Sequence, residues 1–436
     1  MHRAIFSLPA SSLLLLRSLL LVSLLVPRLV LASTLETSWD WMVSFEHHES
    51  RNSLYLPEDQ DEQWQSVNAL LDVELRYGQW LGVLALKGND LYSSQSGVES
   101  DSEGIVRELF WQGTTSLSGA DFDLTLGKAR VDWGVGYGYR PLDIIKPYRR
   151  NPVGIQVEEG AGVAAVSYFD GNGEWTLIYA DSSWASQLGN DLDQQNEQQG
   201  IGIRRYGLVG NSEWQGVAYY DDVRRGLLGG SWVSVLDDAW ELHASAVYQS
   251  EYYSYSLPES LFESVRSEKK NHGLQTLLGL TWTNEIGQSV ILEYWYDSRS
   301  WNNGQWKQAY QQAEQINGNG MPVGLRYAYA QPLQHVNLVS HNVMLHWTQD
   351  PIAWQYWNWS QNVSWLQDFT PTFDVLFSPE DNGVIATQWL RYAAVDTGSM
   401  QFDIEIAARI LTGDKQSVYR NLSDKRMILL NLKGRF

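Results

Sequence analysis

A period of two constrains this chain more than any other feature. In residues 399–411, SMQFDIEIAARIL, alternate positions read Met400, Phe402, Ile404, Ile406, Ala408 and Ile410. The positions between them read Gln401, Asp403, Glu405, Ala407 and Arg409. Successive side chains of a β-strand point to opposite faces, so this segment as a strand has one apolar face and one charged face. The pattern recurs along the chain. In 69–77, Leu71, Val73, Leu75 and Tyr77 oppose Asp72, Glu74 and Arg76. In 240–249, Trp240, Leu242, Ala244, Ala246 and Tyr248 oppose Glu241, His243, Ser245 and Gln249. In 288–297, Val290, Leu292, Tyr294 and Tyr296 oppose Glu293 and Asp297. The last segment, 424–436, sets Ile428, Leu430, Leu432, Gly434 and Phe436 against Asn431, Lys433 and Arg435.

A soluble β-sandwich or propeller also alternates. Here, however, charges recur on the second face in strand after strand, and a packed core would not hold them without partners. The apolar face often ends in Trp or Tyr, as at the interfacial girdles of a transmembrane barrel. Composition agrees. The chain has 21 Trp and 23 Tyr, yet its mean hydropathy is -0.32, because alternating faces cancel in any window. There is no cysteine, so stability does not come from disulfides. Residues 1–32 have the basic start, Leu-rich run and small residue at Ala32 of a secretory signal peptide, and 33–436 are expected to form a single barrel domain. Cleavage takes three of the 31 basic residues and none of the 51 acidic ones, deepening the net charge from -20 to -23. That balance argues against nucleic-acid binding, which needs a basic face.

Strands are expected at about 39–47, 67–77, 80–90, 105–116, 120–131, 160–170, 173–181, 198–208 and 213–222. They continue at 226–236, 240–250, 271–284, 288–298, 337–349, 352–365, 383–396, 399–411 and 424–436. This makes 18, or 16 if two segments belong to loops; 105–113 and 352–365 carry aromatics on both faces. Short connections such as 78–79, 210–213 and 349–351 alternate with long ones, the exception being the brief 221–226. An even count with short periplasmic turns and long outer loops is the rule for bacterial antiparallel barrels. The expected fold is therefore an all-β transmembrane antiparallel β-barrel.

The ending RMILLNLKGRF, closing on Phe436, resembles the C-terminal signature of bacterial outer-membrane proteins. That resemblance implies recognition by the barrel-assembly machinery and a Gram-negative outer-membrane location. Residues 126–147, LGKARVDWGVGYGYRPLDIIKP, resemble a segment of porin-like families, including alginate-export-like barrels and related large channels. Strand patterning begins within about ten residues of the cleavage site, which leaves no room for the plug domain of a 22-strand transporter or for an autotransporter passenger.

The stretch 126–154 is basic in an acidic chain. It carries Lys128, Arg130, Arg140, Lys146, Arg149 and Arg150 against Asp132 and Asp143. Eighteen strands about 4.8 Å apart and tilted about 40° close at a diameter of roughly 36 Å, too wide for wall side chains to fill. The loop at about 132–159 is expected to fold into this lumen, against inward carboxylates such as Glu74, Glu241, Glu293, Asp403 and Glu405. Those six cations would then set the field seen by a permeating solute, as charged rings do in other pores. The equal alternative is that they neutralise the wall. The acidic stretches 48–66 and 91–104 suit an outer surface, where divalent cations bridge to lipopolysaccharide phosphates.

Catalytic motifs are lacking: there is no HExxH, GxSxG or Walker loop. No enzyme activity, cofactor or metal site is expected. The expected function is a porin-like channel for passive passage or export of a polar solute, anions included. The alternatives are an interaction or assembly scaffold with a plugged lumen and, behind it, a barrel enzyme.

Overall fold

The computed structural model describes residues 35–55, 62–93, 97–146, 153–187 and 189–436. Residues 1–32, read above as a signal peptide, lie outside the described residues, as do Arg149 and Arg150.

The described residues form one closed antiparallel sheet of 18 strands. The first nine are β1 (Leu35–Ser50), β2 (Gln63–Tyr77), β3 (Trp80–Ser93), β4 (Gly97–Leu117), β5 (Ala120–Ala129), β6 (Ala161–Asp170), β7 (Gly173–Asp181), β8 (Gln199–Val209) and β9 (Ser212–Asp221). The rest are β10 (Leu227–Val235), β11 (Trp240–Ser256), β12 (Arg266–Thr283), β13 (Gln288–Asp297), β14 (His341–Gln349), β15 (Phe369–Ser378), β16 (Gly383–Asp396), β17 (Gln401–Thr412) and β18 (Asp424–Arg435). Each strand pairs with its sequence neighbours, and β18 pairs back onto β1 with Asp40 opposite Arg435. Backbone bonds between Trp39 and Phe436 (3.0 and 3.1 Å) finish the seam, so no edge is left unpaired. The Phe436 ring lies 5.3 Å from that of Trp39.

Alternation is realised as two faces. Leu278, Leu292, Ile406, Ile410 and Ile428 are exposed on the outside, while Glu293, Glu405, Asn431 and His243 are buried on the inside. Trp214 pairs with Trp232 and Trp240 with Trp282 near one end, giving part of an aromatic girdle on the apolar face.

The strand count agrees with the sequence reading, but one strand does not. Residues 352–365 are not a strand. They belong to a 19-residue connection, 350–368, containing 3₁₀ turns at Pro351–Tyr356 and Ser364–Asp368. The fifteenth strand is instead Phe369–Ser378. Pro351 starts a turn capped by the Asp350 side chain, and with aromatics on both faces 352–365 has no face to turn from lipid. Residues 91–104 are likewise not a loop for most of their length. Strands β3 and β4 run on as a tall hairpin carrying Glu99, Asp101 and Glu103.

At the same end as this hairpin, opposite the short turns and 350–368, the long connections fold over the barrel. Helices α1 (Asp191–Gln195) and α2 (Asn303–Gly318) belong to this layer. The α2 residues Trp306, Ala309, Tyr310, Ala313 and Ile316 share an apolar cluster with Tyr55, Leu192, Tyr255, Tyr329 and Tyr419. Residues from five different connections and strand ends therefore bury one another there.

Candidate functional site

The connection between β5 and β6, residues 130–160, departs from strand β5 at a buried ion pair. Lys128 Nζ donates to Glu159 Oε2, and Glu159 also accepts the backbone N–H groups of Ser186 (2.9 Å) and Gln187 (2.7 Å). Burial raises the Glu159 carboxyl pKa, but these donors outweigh it and hold it below its ordinary value. Both limbs of the loop are thus tied together at its base.

The outgoing limb packs on the wall. Trp133, Leu142, Ile144 and Ile145 join Ala161, Val163, Ile178, Ala180, Val217, Tyr219, Leu227 and Val247, which are inner-face residues of β6, β7, β9, β10 and β11. Burying each large side chain contributes about 1.5–3 kcal/mol. Polar contacts orient the limb. Arg224 Nη1 donates to Ile144 O (2.7 Å), Gln215 Nε2 donates to Trp133 O (2.5 Å), and the Arg204 guanidinium lies 5.6 Å from the Trp133 ring. Asp143 Oδ1 accepts the N–H groups of Trp133 (3.0 Å) and Gly134 (2.7 Å). Burial pushes the Asp143 carboxyl up to about 6 despite those bonds.

The tip reaches the wall at β12–β14. Glu293 is fully buried and accepts the N–H groups of Tyr137 (2.6 Å) and Gly138 (2.7 Å), with His243 Nε2 at 2.9 Å. Two consecutive backbone donors aimed at one carboxylate form a small anion nest. A Cβ at 138 would stand 2.5 Å from Met344 Sδ and 3.1 Å from Glu293 Oε2, so any other residue there has to displace the Met344 thioether. Beside this latch, the Tyr139 hydroxyl lies 2.6 Å from Gln275 Oε1 and 3.0 Å from Asp297 Oδ2. Asp297 in turn accepts from Arg299 (2.7 Å) and Asn337 (2.8 Å).

The return limb meets the remaining walls. Val153 packs with Ala407 and Leu429, and Ile155 and Val157 pack with Leu70, Ala85 and Ile105. Arg107 on β4 donates to Glu158 O (3.1 Å) and Asp72 Oδ2 (2.8 Å). Strands β4 and β13 stand nine apart in a ring of 18. The loop is therefore held on opposite sides of the barrel.

Arg130 pairs with Asp132 (2.9 Å) and Glu158 (2.8 Å), and Arg140 lies 3.7 Å from Asp143 and donates to Gly136 O (3.0 Å). Lys146 is half-buried, and burial holds its amine below its ordinary pKa. Of the five inward carboxylates, Glu293 meets the loop, through backbone amides and not through a cation. Among the described residues, Glu74 pairs with Arg76 (2.6 Å), Glu241 lies 3.8 Å from His243, Asp403 pairs with Arg391 (3.3 Å), and Glu405 pairs with Lys433 (3.0 Å). Glu74, Asp403 and Glu405 meet cations of their own wall and Glu241 a histidine of it, because the same or neighbouring strands bring partners closer than the loop does.

Sequence reasoning passed over Arg107, Arg204, Arg224 and Arg299. Arg107 and Arg204 share the inward phase of their strands with buried Ile105 and Gly202, a parity that alternation already contained. A second signal was the pair of apolar faces in 160–181. Inward Val163, Ile178 and Ala180 in a wet lumen require a cover, and the loop is that cover.

Above the outgoing limb lies a cavity of ≈ 470 Å³. Arg130, Lys146, Arg224 and Arg299 line it together with Asp132, Asp143, Glu158 and Glu159. Its field is mixed in sign.

No family model and no curated protein sequence matches this chain. Solved structures do. Acinetobacter baumannii OccAB1 aligns over 92% of this chain and 96% of its own, with a TM-score of 0.52 and 10% identity. The chain has the fold of an outer-membrane porin. Pseudomonas aeruginosa OccK7 (OpdD) aligns over 93% of this chain and 99% of its own at 8% identity and a TM-score of 0.48. Acinetobacter baumannii OccAB3 aligns over 92% and 99% at 8% identity and a TM-score of 0.47. At this identity the likeness is one of porin fold.

Proposed function

We propose that this porin-fold chain is a passive outer-membrane channel for small polar solutes, anions included, with its lumen narrowed by residues 130–160. The observation that carries the reading is the loop's anchorage at both β4 and β13, nine strands apart. A solute passing the barrel must go around this strut. The cavity beside it offers four cations, of which Arg130 and Lys146 belong to the loop itself. We place the chain in the outer membrane after cleavage near Ala32, with lipopolysaccharide and the barrel-assembly machinery, through Phe436, as its partners there.

A plugged scaffold is the second reading, favoured by the apolar cluster that α2 builds with the other connections at the barrel mouth. Planar-bilayer recording separates the two. Discrete conductance steps support the channel, and their absence from a refolded, heat-modifiable protein refutes it. Lys146→Glu is expected to shift permeability from anions toward cations. An unchanged reversal potential would remove Lys146 from the solute path.

A further inference from the structure

The connection 350–368 is out of place at its end of the barrel. The other connections on that side span two to four residues, such as 78–79, 171–172 and 236–239. This one spans 19 and holds Trp354, Trp357, Trp359, Trp365 and Tyr356 with no charged residue between Asp350 and Asp368. It is ordered by its own contacts. Ser360 and Ala353 are fully buried, Ser360 Oγ donates to Trp354 O (2.6 Å), and the Trp354 indole N–H donates to Phe369 O (2.8 Å). The rings of Trp354, Trp357 and Trp359 stand 5.6–5.8 Å apart. Yet Trp359 is 65% exposed, Trp365 60%, Tyr356 58% and Ile352 49%. A folded segment that turns large aromatic rings outward marks an interaction surface.

We infer that residues 350–368 dock into the lipid headgroup layer on the turn side of the barrel, as an extension of its aromatic girdle. Continuity with the lipid-facing surface decides the occupant. On β15, Phe369 and Phe373 have the outward phase, opposite to buried Thr372 and Asp374. Phe373 pairs with Trp347, and the Phe369 ring lies tilted 4.9 Å from that of Tyr392. The Trp365 ring meets the Phe369 ring edge-on at 5.6 Å, so the girdle runs unbroken into the connection. Indole and phenol rings combine an apolar body with a polar tip and gain most at the boundary between headgroups and hydrocarbon. The other exposed groups are amides and hydroxyls such as Asn358, Gln361 and Asn362, which hydrogen-bond to headgroups without the cost of a desolvated charge.

The inference rests on the porin reading, and the test separates the two. The chain has no cysteine, so one introduced thiol carries one fluorescent probe. Probes are placed by Trp359→Cys and Tyr356→Cys in the segment. Leu278→Cys on the outer barrel face and Asn172→Cys in the β6–β7 turn are the references. Each protein is reconstituted in phosphatidylethanolamine/phosphatidylglycerol vesicles and accepted only if its gel mobility is heat-modifiable. Quenching is then measured with aqueous iodide and with lipids brominated near the headgroup or deep in the chain. The expected result is iodide quenching several-fold weaker at 359 and 356 than at 172, and stronger quenching by shallow than by deep bromine. Iodide access at 359 equal to that at 172, with 278 quenched by lipid, overturns the inference and leaves the porin reading intact. The inference is equally overturned if protection at 359 appears only on adding peptidoglycan fragments or a soluble protein. A probe at 278 that no lipid bromine reaches overturns the porin reading and the inference with it.

Discussion

Removing the Glu293 carboxylate should release the tip of the lumen loop while leaving the barrel intact. The group is fully buried and receives two backbone N–H bonds, 2.6 and 2.7 Å, and a contact with His243 Nε2 at 2.9 Å. Hydrogen bonds to a charged group are each worth about 1.5–3 kcal/mol, and truncating one partner of a buried pair costs about 3–5 kcal/mol. The three contacts share one acceptor, so they do not add, and we take about 3–5 kcal/mol for Glu293→Ala as a whole. At about 1.4 kcal/mol per decade, the released fraction of the tip rises by about 10²-fold to about 4 × 10³-fold. The barrel ladder does not depend on the side chain, since β13 pairs with β12 and β14 through its backbone. Amide hydrogen exchange reads the effect directly. Protection of Tyr137 and Gly138 should fall by that factor while protection in β13 is unchanged, and single-channel traces should show larger or noisier conductance. Gly138→Ala attacks the same latch from the loop side, through the clash with Met344, and should give the same phenotype. Unchanged exchange at Tyr137 and Gly138 in Glu293→Ala would refute the latch.

Two further outcomes follow from the loop's charges. The Asp143 carboxyl is raised by burial from 3.8 to about 6, so folding of the loop favours its protonated form; the contribution, about 3 kcal/mol, is fully present below pH 3.8 and lost as pH rises through about 6. Loop protection against proteolysis should therefore be greater at pH 4 than at pH 7, and Asp143→Asn should abolish that difference. Lys128→Met leaves Glu159 buried without its cation and should lower stability by about 3 kcal/mol, measured by tryptophan-monitored unfolding in urea. The double change Lys128→Met/Glu159→Gln should regain most of it, and a double variant no better than the single one would show that the pair is not the coupled unit.

Much of this protein was legible in its amino-acid order. Strict alternation needs no tertiary information, because a strand between lipid and water must present one apolar and one polar face whatever its neighbours are. It yielded the closed barrel, the count of 18 and the inward phase of Glu293, Glu405 and Asp403. It failed at 352–365, where the chain forms 3₁₀ turns packed on Ala353 and Ser360 and no alternation is demanded. It also placed an excess of positive charge in 126–154, but not its partners. Lys128 and Arg130 find carboxylates within the loop, and Glu293 is met by amides from residues 155 and 156 positions away. Only closure of the ring brings β4 and β13 to the two sides of one loop. Which wall each limb touches is set by packing of Trp133, Ile144, Val153 and Ile155 on residues distant in the chain, and no local pattern encodes distances across a lumen.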